Sequence, residues 1–130
     1  MDLPEPSLHE CEIETGATPD LAAIRRWVRL VLAGARPESV DDALLLVTEL
    51  VTNAVDHAHG VRALRIRSGE PGQPVRLEID DPRPDLGVRL CESSSESARG
   101  RGLLLVDAIS RRWGVTLYDD HKTVWADILV

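Results

Sequence analysis

The chain has 130 residues, 43% hydrophobic and 28% charged, enough to bury one core without disulfide or metal staples. Its formal net charge of −7 argues against a nucleic-acid partner, because phosphate backbones demand a basic surface. Cys11 and Cys91 lie far apart with no Cys-x-x-Cys spacing, which argues against a metal site or a structural disulfide.

Residues 1–8 read as a disordered tail ahead of a single domain over 9–130. The start, Met1 to Glu10, is acidic and Pro-rich and does not read as a secretory signal. No apolar run approaches the roughly 20 residues of a membrane span, so a cytoplasmic location without membrane contact is expected. His9 to Thr15 alternates weakly and predicts an edge strand. Thr18-Pro19-Asp20 opens a helix, with Thr18 as the cap and Pro19 at the first helical position. Leu21, Ile24, Val28, Val31 and Leu32 give that helix an apolar stripe, Arg25, Arg26 and Arg29 read as its solvated face, and Gly34 ends it.

A second helix runs from Ser39 to about Ala58 and is apolar almost all round, with Gly60 as its stop. Two strands follow, Ala63 to Arg67 and Val75 to Asp80. Residues 82–99 hold no period and read as a lid or binding loop. A third helix, Leu103 to Ser110, precedes two last strands, Gly114 to Tyr118 and Thr123 to Leu129. The order β-α-α-β-β-loop-α-β-β predicts an α+β two-layer sandwich, a mixed and mostly antiparallel sheet covered by three helices.

Three constellations carry chemistry. Glu49 and Asn53 are four residues apart on the second helix and project from one face. An amide oxygen can coordinate a hard cation and a carboxylate can take a proton from a hydroxyl, the two needs of Mg-nucleotide chemistry. A solvent-facing polar stripe explains the spacing equally well. Ile79-Asp80-Asp81-Pro82 ends a strand in carboxylates that could accept a hydrogen bond from an exocyclic amine, or merely cap a loop. Gly100-Arg101-Gly102 opens a helix and suits a phosphate, but Gly-x-Gly is also an ordinary turn.

Together and in this order the elements resemble a known family. Glu49-Leu50-Val51-Thr52-Asn53-Ala54-Val55-Asp56-His57-Ala58 is similar to the N box of the anti-sigma-factor serine/threonine kinases, within the GHKL (Bergerat-fold, histidine kinase-like) ATPase superfamily. Leu77 to Asp81 resembles their first glycine box, and Gly100 to Val106 with Arg112-Trp113-Gly114-Val115 their second. Lys122-Thr123-Val124-Trp125 resembles their last-strand motif. The resemblance implies ATP and Mg²⁺ as cofactors, Glu49 as general base and Asn53 as the Mg²⁺ ligand. It implies Asp81 on the adenine amine, Thr123 beside it, Gly100 and Gly102 along the phosphates, and Arg101 at the γ-phosphate. The implied function is a kinase that phosphorylates a small anti-sigma antagonist and sequesters a sigma factor, with family members commonly homodimeric. The alternative is a non-catalytic, nucleotide-gated binding module of the same fold. The sequence departs from Asp-x-Gly-x-Gly after Asp81, where Pro82, Arg83, Pro84 and Asp85 stand, a departure that bears on turnover.

Overall fold

The structure, a computed structural model, describes residues 7–12, 18–58, 60–68, 73–85 and 105–129. The strands are β1 (Ser7–Glu12), β2 (Ala63–Ser68), β3 (Val75–Asp81), β4 (Arg112–Leu117) and β5 (Lys122–Ile128). They form one sheet in the order β1-β2-β3-β5-β4. All four pairings among the described residues are antiparallel. β1 begins inside the span assigned to a tail; its first strand residue, Ser7, pairs with Ser68.

Helix α1 (Leu21–Val31) starts one residue after Asp20, whose carboxylate accepts the Ala23 N–H at 3.1 Å. Asp20 is therefore the cap, not Thr18; an aspartate at that position satisfies a free N–H more strongly than threonine does. Helix α2 (Pro37–Ala58) opens on Pro37, whose missing N–H costs nothing in a first turn. Gly60 follows it at φ 135°, a conformation that favours glycine, and its N–H closes on Ala54 O at 3.1 Å. Residues 105–109 form a short third helical segment that contributes the fully buried Val106.

Period-two alternation separates the two faces of the sheet. Leu64, Ile66, Leu77, Ile79, Val124 and Ala126 point to the helices, where Ile24, Val28, Leu46, Val47 and Val51 complete the core. α2 packs against β3 and β5. Arg25 crosses to α2, its guanidinium donating to the Thr48 hydroxyl at 2.9 Å. One member of the expected solvated face thus ties the two helices together.

The opposite face is a charge ladder. Arg65 bonds Glu78 at 2.7 Å and both oxygens of Asp80, while Arg76 and Arg112 bond Asp127 at 2.7 and 3.0 Å. The Arg76 guanidinium lies 3.9 Å from the centre of the Trp125 ring. A methyl group on Gly114 would meet that indole at 2.6 Å, so the bare backbone of β4 is what admits the ring. Gly114→Ala is expected to cost about 1–3 kcal/mol through overpacking, measured as a lowered urea midpoint.

Burial alone would raise the Asp80 and Asp127 carboxyls. Arg65 and Thr123 at Asp80, and Arg76 and Arg112 at Asp127, instead hold both below the ordinary carboxylate range. Because the folded pKa lies below the unfolded one, their stabilisation is fully present above the ordinary value of 3.8 and is lost as pH falls through the folded values. Urea midpoints are expected to fall as pH drops below about 4, with charge-neutral substitutions at both aspartates flattening the decline.

Candidate functional site

The N-box residues sit on the C-terminal half of α2. Glu49 and Asn53 are half-buried, one turn apart. Neither side chain has a hydrogen bond or an ion pair among the described residues. A carboxylate and a carboxamide on one helix stripe, without partners among the described residues, are available to a ligand. Asp56 and His57 continue the helix and are exposed.

Asp81 ends β3 on the helix-facing side of the sheet and is 1% exposed. Its Oδ1 accepts the Arg83 N–H at 2.9 Å, an Asx turn that aims the chain away from the strand. Pro82 lies inside that turn and Pro84 follows it, and the Arg83 guanidinium pairs with Asp85 at 2.7 Å. The glycine pattern that would loosen this exit is replaced by two fixed φ angles, one Asx turn and one ion pair. Asp85 is held down to about 2, first by its hydrogen bond with Arg83.

The register of β3 against β5 sets Asp80 opposite Thr123 and Asp81 opposite Lys122. Directly paired residues share a face and neighbours along a strand alternate. Thr123 therefore does not stand beside Asp81. It lies on the outer face and donates to Asp80 Oδ1 at 2.6 Å. The residue beside Asp81 is Lys122, whose Nζ lies 3.0 Å from Oδ1 and 2.9 Å from Oδ2. Burial pushes the Asp81 carboxyl above its usual value, although the Arg83 amide and the Lys122 ammonium both oppose the rise. Lys122 stands in the last-strand motif without an assigned role; its signals in the sequence are that place beside Thr123 and its being the one lysine of the chain.

Gly100, Arg101 and Gly102, and residues 86–99 of the expected lid, lie outside the described residues. A cavity of 390 Å³ lined by His9, Leu32, Arg36 and Ile66, among others, contains none of the motif residues. Among the described residues no group of acidic, histidine or cysteine side chains is assembled to hold a metal by itself. No helix among them is long and apolar enough to cross a membrane.

No curated protein matches the chain at a significant level. The family model of the histidine kinase-like ATPase domain matches residues 15–127, the span that carries α1, α2, the two glycine-box segments and β5 up to Asp127. The antiparallel sheet with its helices on one side agrees with that fold, and the chain belongs to the histidine kinase-like ATPase domain family of the GHKL superfamily.

Proposed function

We propose that this domain is an ATP-dependent serine/threonine protein kinase of the anti-sigma type, which phosphorylates a small anti-sigma antagonist, sequesters a sigma factor and works as a homodimer. The observation that carries the reading is the pair Glu49 and Asn53, half-buried and free of protein partners among the described residues, on the helix packed against β3 and β5. Domains of this family bind ATP with Mg²⁺, and the residues present suit that ligand. The Asn53 amide oxygen is a hard donor fit for Mg²⁺, and Asp81 is an acceptor at the end of a strand fit for a base amine. Bound ATP supplies the phosphoryl group. Glu49 positions the attacking hydroxyl and takes its proton; Gly100, Arg101 and Gly102 accompany the phosphates.

The non-catalytic alternative has one specific observation in its favour. The first-hinge glycines are replaced by Pro82-Arg83-Pro84, and that turn is held to Asp81 and Lys122. A stiff exit from β3 suits a domain in which nucleotide sets shape without turnover. Titration with Mg-ATP, followed by transfer of labelled γ-phosphate to a small antagonist protein, separates the two. Binding with transfer to Ser or Thr supports the kinase. Binding without transfer to any cognate antagonist leaves the gated binder, and no binding at millimolar nucleotide sinks both.

A further inference from the structure

Lys122 is the only lysine of the chain and is 2% exposed. An ammonium has three protons to place, and a buried one is tolerated only when its charge is paired and its donors are used. Here the partners are Asp81 Oδ1 at 3.0 Å, Asp81 Oδ2 at 2.9 Å and the Arg83 carbonyl at 2.9 Å. With the Arg83 N–H also on Oδ1, both oxygens of Asp81 are engaged within the chain. The carboxylate best placed to accept a base amine therefore already holds a positively charged nitrogen donor. The same ammonium pins the turn that leaves β3.

We propose that Lys122 sets nucleotide affinity and base selectivity in this site: its ammonium stands in for the exocyclic amine of the base, and a nucleotide engages Asp81 only by displacing it. The inference rests on the nucleotide-binding part of the proposed function. Adenine offers an amine donor at its six-position, which matches Asp81. Hypoxanthine offers a carbonyl oxygen there, which matches the lysine and not the aspartate. With Lys122 on Asp81 the site distinguishes these bases weakly, and without it the carboxylate is left to read the amine. Displacement also removes one of the ties between β5 and the turn at Arg83, so base binding is coupled to the release of that turn.

Lys122→Met keeps the length and apolar stem while removing the charge. Mg-ATP and Mg-ITP are titrated against the wild type and this variant by calorimetry. ATP is expected to bind the variant roughly tenfold to a hundredfold more tightly, the range for one hydrogen bond to a charged group. ITP, whose six-position carbonyl loses the ammonium as a donor, is expected to bind the variant no more tightly than the wild type, which opens the ATP-to-ITP ratio. A folded variant with unchanged or weaker ATP affinity, or with an unchanged ratio, overturns the proposal.

Because Lys122→Met strands Asp81 without its countercharge, a second measurement uses the wild-type chain. With isotope-labelled lysine the single side-chain ammonium is directly visible by NMR, protected in the free protein. It is expected to shift or to be lost to solvent exchange on saturation with Mg-ADP. An unmoved signal at saturation overturns this inference alone. Failure of both wild type and variant to bind any adenine nucleotide overturns the proposed function together with it.

Discussion

Glu49→Ala is expected to lower phosphoryl transfer roughly 100- to 10,000-fold, the range for loss of a general base, while nucleotide affinity stays close to that of the wild type. Glu49 takes part in no hydrogen bond or ion pair among the described residues and is half-buried on α2. Truncating it breaks no contact of that kind there, and alanine suits a helix interior at least as well as glutamate does. The fold should therefore survive, and any loss reports on chemistry. Asn53→Ala, one turn further along the same stripe, should behave differently. If its amide oxygen holds Mg²⁺, metal-dependent affinity and transfer fall together, because the cation neutralises the phosphates in both the bound and the reacting state. Transfer of labelled γ-phosphate and calorimetric titration of each variant give the pair of readings. Normal transfer by Glu49→Ala removes it as the base; loss of transfer by Asn53→Ala with full Mg-dependent affinity removes the metal assignment.

The elements that the sequence made legible are those whose signal is local. β2 and β3 end within a residue of their expected bounds because alternation and flanking turns are short-range properties. The extent of α2 follows from its apolar run and from Gly60, whose φ of 135° needs glycine. The cap of α1 was misplaced because Thr18-Pro19-Asp20 offers two capping side chains, and pattern does not rank them as the backbone does. The base end of the site was legible only in part, for a reason of register. Thr123 and Lys122 are neighbours, and one residue of shift along β5 exchanges the outer face for the inner one. Motif order points to the strand, while only the pairing of β5 with β3 decides which of the two residues meets Asp81. The outer charge ladder was hidden likewise: Arg65, Glu78 and Asp80 each read as solvated charges until pairing brings them together.

Arg65→Ala is expected to cost about 3–5 kcal/mol, the range for breaking a buried ion pair from one side. The Arg65 side chain is 13% exposed, and it faces Glu78 and Asp80, whose side chains are 12% and 10% exposed. It also reaches Glu10 at 3.3 Å, so one guanidinium joins β1, β2 and β3. Without it, two carboxylates two positions apart on the same face of β3 keep their charge and lose the cation that offsets burial. The wider network does not compensate, because among the described residues Arg67 reaches Glu78 and not Asp80, and Asp80 would retain the Thr123 hydroxyl as its one hydrogen-bond partner there. Arg67→Ala supplies the control. Its side chain is 50% exposed, and its loss should cost under about 1 kcal/mol, as for a surface pair. Against a total of about 5–15 kcal/mol for a domain, the first variant should be close to unfolded at moderate temperature and the second close to wild type. Urea unfolding followed by circular dichroism reads both. Adding Glu78→Gln and Asp80→Asn to Arg65→Met should recover much of the loss, since the damage is charge left unpaired and not packing removed. Equal midpoints for Arg65→Ala and Arg67→Ala would show that the ladder is a solvated surface and that the helix-facing core alone holds the sheet.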